Sequence, residues 1–147
     1  MQLLSIGLVQ LNLDGSVVLD ANGKPRETYK QTDISNLARV FTGWDFDGAS
    51  ATDPAFMKKP MVNTAAQFST GAKKVLTVHI PATADGPGAM KTALDTLASH
   101  PNVGPFIGRQ LIQRLVCSNP SPAYVQRVAI VFSPAVAISR PSSKPCC

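Results

Sequence analysis

Little in this sequence can do acid–base chemistry at neutral pH. Among 147 residues there are two histidines, His79 and His100, and nine carboxylates. No Gly-x-Ser-x-Gly elbow, His-x-Glu-x-x-His or Walker loop occurs, which removes the usual signatures of α/β-hydrolases, zinc peptidases and nucleotide hydrolases. Cysteine is scarce as well. Cys117 stands alone, and Cys146 and Cys147 are adjacent at the end, a spacing that suits neither a zinc site nor a disulfide framework. Long apolar runs are missing: nothing approaches the ~20 residues that would span a bilayer. The opening MQLLSIGLVQLNL has no basic n-region and no small-residue cleavage site, so as written the chain is expected in the cytoplasm.

What the chain does have is turn formers and a modest core. Hydrophobic residues make up 44% and charged residues 16%, the balance of a folded domain rather than a disordered polyampholyte. Twelve prolines and ten glycines divide it into short elements. The formal charge is +5, but Lys58-Lys59 and Lys73-Lys74 are isolated pairs without interleaved aromatics. A solvated surface explains them better than a nucleic-acid interface.

The spacing of apolar residues predicts a mostly α chain with a small β-excursion. MQLLSIGLVQLNL reads as a helix start running into an extended segment. Asp14-Gly15 and Asn22-Gly23 flank the β-branched Val17-Val18 and predict a hairpin-like excursion. TDISNLARVFTGW predicts a helix capped by Thr32 or Asp33, with Ile34, Leu37, Ala38 and Phe41 inward and Gly43 as its stop. Residues 45–78 read as a long irregular loop ending in a short strand or turn at Lys74–Ile80. Three helices follow. The first, from Pro87, is expected to bury Met90, Ala93, Leu94 and Leu97. The second should bury Val103, Phe106, Ile107, Leu111, Leu115 and Val116, with Cys117 as a small core residue. The third opens with Ser121 as cap and Pro122 at its first position. No internal repeat is evident at this level.

The closing VAISRPSSKPCC breaks with this pattern. Ser139, Ser142, Ser143, Cys146 and Cys147 are spaced i, i+3, i+4, i+7, i+8, and TCN serine codons and cysteine codons begin with T. Read one base earlier, that T becomes the second base of a codon and specifies an apolar residue at all five positions, the stripe of an amphipathic helix. Residues 133–147 are therefore expected to be a frame-shifted, non-native and disordered tail behind a single incomplete domain over residues 1–132. Cys146 and Cys147 then carry no metal-binding meaning.

At YKQTDISNLARVFTGW, STGAKKVL and HPNVGPFIGRQLIQRLVCSNPSPAYVQRVAIVF the chain resembles the bacterial domain-of-unknown-function 1800 family. That family's pattern Tyr-x-x-x-Asp-Val-x-x-x-Ala-Arg-x-Phe-Thr-Gly-Trp is met at Tyr29, Asp33, Ala38, Arg39, Phe41, Thr42, Gly43 and Trp44, with Ile34 for Val. The resemblance implies a C-terminal fragment of a longer, mostly helical and often exported protein, in which Met1 stands at an internal methionine. It also implies a His-x-x-Gly-x-Lys segment, present here as Phe68, Gly71 and Lys73 with phenylalanine in place of the histidine. It supplies no reaction.

Candidate chemistry is correspondingly thin. His79 and His100 are the candidate bases. A Ser69, His79, Asp85 set can be drawn in sequence order only. Oxygen-rich loops offer Asp14, Asp20 and Asn22, and Asp45 and Asp47 before Gly48, as ligands for a hard cation such as Ca²⁺. Asx turns account for the same residues. An internally started, frame-shifted chain is of the kind that phenotype screens retain, and such screens commonly seek hydrolases of esters or lactones, quorum-sensing acyl-homoserine lactones included. A Ca²⁺-assisted hydrolase is thus one expectation. The other is a non-enzymatic helical scaffold that self-associates through exposed apolar helix faces at Leu111, Leu115, Val125, Val128 and Phe132.

Overall fold

Turn chemistry shapes residues 5–29 more than helix propensity does. The computed structural model describes residues 5–48 and 54–132. The expected tail, its cysteines and the first four residues of the expected helix start fall outside the described residues, and residues 5–8 form turns and bends rather than helix. Described residues group into two compact units: one comprises the segments around 5–29 and 97–132, the other 30–96.

In the first unit, segments 8–12, 16–20 and 24–28 form a closed ring. Val9 pairs antiparallel with Glu27, Leu11 with Val17, and Leu19 with Pro25. Gln10 N donates to Arg26 O (2.8 Å), Val18 N to Gln10 O (2.9 Å) and Arg26 N to Val18 O (2.9 Å), so the three central residues bond head to tail. The corners repeat: Gly7, Gly15 and Gly23, eight residues apart, have φ of +70°, +82° and +74°. These left-handed corners are where glycine is needed. The expected hairpin-like excursion is present in the Leu11 with Val17 and Leu19 with Pro25 pairs. The eight-residue repeat of its corners is not evident from the sequence, and the third side of the ring closes between Val9 and Glu27, residues far apart in sequence.

Two helices complete this unit, α3 (Val103–Leu115) and α4 (Pro122–Phe132). The buried residues of α3 are Gly104, Pro105, Gly108 and Ile112, whereas the expected Leu111, Leu115 and Val116 are exposed. The reason is close helix approach: a Cβ on Gly104 would lie 2.7 Å from the Ala129 carbonyl oxygen. Small residues on α3 therefore make the seam, and Ala129 and Val128 meet it from α4, while Val125 packs against Gly15 of the ring. Val125 is thus buried rather than part of an open stripe, and Val128 is half-buried. Cys117 lies past the end of α3 and is exposed, not core.

The second unit carries α1 (Gln31–Val40), two small antiparallel pairs, β1 (Trp44–Asp45) with β2 (Val62–Asn63) and β3 (Lys73–Val75) with β4 (Val78–Ile80), and α2 (Gly86–Ala98), whose last residues cross the boundary. Two short 3₁₀ turns, Pro54–Lys58 and Ala65–Gln67, lie within the stretch expected to be irregular. Lys30, not Thr32 or Asp33, is the N-cap residue of α1. Asp33 serves from the third helical position, accepting Lys30 N at 2.8 Å. Val40 is the buried residue of α1, while Ile34 and Phe41 are exposed. In α2 the buried residues are Gly86, Ala89 and Ala93, and Leu94 is exposed. The architecture is mostly α with small β-excursions.

Candidate functional site

The family-like stretch from Tyr29 to Trp44 is spent on architecture. Arg39 donates through Nε to Ser69 Oγ (3.1 Å), and through its terminal nitrogens to Thr70 O (2.9 Å) and Ala72 O (3.3 Å). Thr42 Oγ1 donates to Arg39 O (2.8 Å) and accepts Ser69 N (2.8 Å). Gly43, at φ +75°, brings the chain so near that a Cβ would lie 2.9 Å from Thr64 O. Asp33 Oδ1 accepts Leu76 N (2.9 Å) at the β3–β4 turn, where Leu76 itself has φ 56°. Lys73 is buried and donates to Ser69 O and Gly71 O, with its ammonium 4.4 Å from the centre of the Phe68 ring. Burial, and then the nearby Arg39, lower the Lys73 pKa. The STGAK loop is thus wrapped around two cations. Phe68, standing where the resemblance implies histidine, supplies a face for the ammonium.

These contacts bear on the Ser69, His79, Asp85 set. Ser69 Oγ is an acceptor for Arg39, His79 is exposed on β4, and Asp85 Oδ1 caps α2 by accepting Gly88 N at 2.9 Å. Each has a separate structural position, and none hydrogen-bonds another.

In the ring-bearing unit the side chain that matters most is Asn102, buried at the start of α3. Its Oδ1 accepts Leu11 N (2.6 Å), and its Nδ2 donates to Ile6 O (2.6 Å) and Val9 O (2.8 Å). One carboxamide thereby closes the outer edge of the first ring segment. Asn102 N in turn donates to His100 Nδ1 at 3.1 Å. His100, a candidate base in the sequence, thus accepts an N–H at the start of the next helix, the positive end of the dipole, where an imidazolium is disfavoured. With Nδ1 accepting, the proton of the neutral ring lies on Nε2. His100, Gln10, Leu11, Val18, Pro101 and Asn102 line a half-open cleft of about 200 Å³. That is below the ~300–1,000 Å³ of drug-sized ligand pockets, so it suits a small group only.

Burial lowers the His100 pKa from its ordinary 6.5. The folded state then holds fewer protons than the unfolded state once pH falls below about 6.5, and stability drops with it. Thermal melts between pH 8 and 5 should show Tm falling across this window, and His100→Asn, which keeps an acceptor but cannot titrate, should flatten the slope. Equal slopes in both proteins would contradict this account.

The carboxylates are placed singly. Asp14 Oδ1 accepts both N and Oγ of Ser16 (2.9 and 2.6 Å), which holds its pKa low. Asp20 Oδ1 accepts Asn22 N (2.8 Å) and Lys24 N (2.9 Å). Asp45 Oδ1 accepts Phe46 N (2.7 Å), and Asp47 faces Lys59 at 3.7 Å. Among the described residues no group of three or more His, Cys, Asp or Glu comes together. Nor is any described helix long and apolar enough to cross a membrane.

Asn102, Arg39 and Lys73 were missed as organising residues. Asn102 did carry a signal, being a helix N-cap type directly after His-Pro. Neither the curated proteins nor the solved structures contain a match to the chain. The family described as protein of unknown function (DUF1800) matches residues 1–137, and the chain belongs to that family.

Proposed function

We propose that the chain hydrolyses small esters or lactones, acyl-homoserine lactone signals among them, with a hard cation such as Ca²⁺ assisting and no serine nucleophile. One observation carries this reading: a half-buried imidazole with its Nδ1 already bonded lines a small cleft. His100 would then act through Nε2–H as a donor to the substrate carbonyl, not as the general base. Such a bond strengthens as the oxygen gains negative charge in the transition state. The cleft would take the ester group or lactone ring and leave a longer acyl chain outside. Ser69 is poorly suited to attack, since its oxygen already accepts from Arg39.

Asp14 and Asp20 are the better carboxylates for a cation. Both are turn residues whose bonds use Oδ1 and leave Oδ2 over, whereas Asp47 has Lys59 beside it. Neither makes a preformed cage, so the ion would be weakly held and readily chelated. Turnover of ester and lactone substrates should fall at least about tenfold on chelation and recover with Ca²⁺. The Asp14→Asn, Asp20→Asn double variant should lower it as well, and His100→Phe should lower it about 10²–10³-fold, the order expected when a donor to a developing oxyanion is lost. Activity indifferent to all three changes would overturn the proposal.

A second reading, a non-enzymatic scaffold, draws on a different observation. Leu115 and Val116 at the end of α3, and Val131 and Phe132 at the end of α4, are exposed at 78%, 65%, 59% and 44%. Absence of turnover, together with concentration-dependent sedimentation, would favour it.

A further inference from the structure

The ring has three outer edges, and they are not treated alike. By the eight-residue repeat, the groups bound by Asn102 on the first edge (Leu11 N–H, Val9 C=O and Ile6 C=O) correspond on the second to Leu19 N–H, Val17 C=O and Asp14 C=O. On the third they correspond to Glu27 N–H, Pro25 C=O and Asn22 C=O. The backbone supports the correspondence. Asn12 N donates to Ser16 O (2.8 Å), Asp20 N to Lys24 O (2.8 Å) and Thr28 N to Leu8 O (3.0 Å), while Gly15 N and Gly23 N close matching turns on Asn12 O (2.9 Å) and Asp20 O (3.0 Å).

The first edge is filled by the Asn102 carboxamide. The third is blunted in part: its Glu27 N–H and Pro25 C=O are also without partners among the described residues, but Pro25 has no N–H and Gln10 Nε2 already donates to Glu27 O at 3.1 Å. Only the second retains a full set of edge donors and acceptors. Among the described residues, neither Leu19 N–H nor Val17 C=O has a hydrogen-bond partner. Val17 and Leu19, whose backbones form this edge, are exposed at 41% and 56%. The segment's only charges are the carboxylates of Asp14 and Asp20, one at each end. Natural sheets usually blunt such edges, as this ring does at the other two, because an open edge is a template for strand pairing.

We infer that the Val17–Leu19 edge is a docking site for an extended peptide segment of another protein chain, apolar at alternate positions and flanked by basic residues. Main-chain bonds to Val17 and Leu19 would supply the pairing, as the amide of Asn102 does on the first edge. Side chains resting on Val17 and Leu19 would supply selectivity, and lysine or arginine at the ends would meet Asp14 and Asp20. The edge borders the cleft at His100, which Val18 helps to line, and shares Asp14 and Asp20 with the proposed cation site. The pairing itself does not depend on any hydrolytic activity.

The test is an amide-resolved NMR titration of the full chain with the capped peptide acetyl-Lys-Val-Thr-Val-Lys-amide, with chelator present so that no cation occupies Asp14 or Asp20. The Val17 and Leu19 amides should shift and saturate, and Leu19 should gain protection from exchange, while Leu11 stays unchanged. The same peptide N-methylated at its central residues keeps its side chains and charges but cannot pair, and should bind at least about tenfold more weakly. Because the protein is unaltered, folding is not at issue. Equal binding of both peptides, shifts confined to other residues, or no shift at millimolar peptide would each overturn the inference.

Discussion

Asn102→Ala is expected to destabilise the ring-bearing unit by roughly 3–9 kcal/mol, taking about 1–3 kcal/mol for each backbone group left without a partner. Three such groups are involved, Leu11 N–H, Ile6 C=O and Val9 C=O, and Asn102 itself is buried. The loss is comparable with the whole stability of a small unit, ~5–15 kcal/mol for ordinary domains, so the variant should be largely unfolded or should lose the ring. Asn102→Asp separates the roles, because it keeps an acceptor for Leu11 N but sets a carboxylate against two carbonyl oxygens. It should be no more stable than the alanine variant. Denaturant unfolding, read alongside hydrogen exchange at Leu11, checks both. A loss under about 1 kcal/mol with Leu11 still protected would show that the carboxamide does not hold the edge.

The seam between α3 and α4 should be nearly as sensitive, and in a graded way. On helix propensity alone, Gly→Ala gains about 1 kcal/mol. At Gly104 that gain should be reversed, because the new Cβ would meet the Ala129 carbonyl oxygen at 2.7 Å, and backbone cannot yield without parting the helices. Gly104→Ala is expected to destabilise by roughly 1–3 kcal/mol, as overpacked cores do, and Gly104→Val by more. At Gly108 the nearest atom is Val128 Cγ1 at 3.2 Å, the end of a side chain that can turn aside. Gly108→Ala should therefore lie near neutral. Paired melting curves decide the matter, and equal effects at the two glycines would contradict the described helix crossing.

Much of the local structure was legible in the residues. Asp14-Gly15 and Asn22-Gly23 mark turns because few other residue pairs accept the left-handed backbone found there. α2, α3 and α4 run close to where Asp85-Gly86, Asn102 and Ser121-Pro122 begin them. The stretch from Tyr29 to Trp44 identified the family. These are local properties, determined by which φ and ψ a side chain permits and by which groups can satisfy a helix end.

Tertiary structure alone decided which surfaces meet. Counting large apolar residues put Leu111 and Leu115 inside α3, but close packing favours residues that let two backbones approach, so Gly104 and Gly108 are buried instead. The ring needed Val9 to find Glu27 across the two intervening corners, a pairing whose value lies in bonds to distant residues. At the candidate site, His100 could be named from sequence, whereas its tautomer and its link to the ring depend on Asn102, which binds residues more than ninety positions away. A hydrogen bond of that kind leaves no periodic trace in the sequence, because only the fold brings its donor and acceptor together.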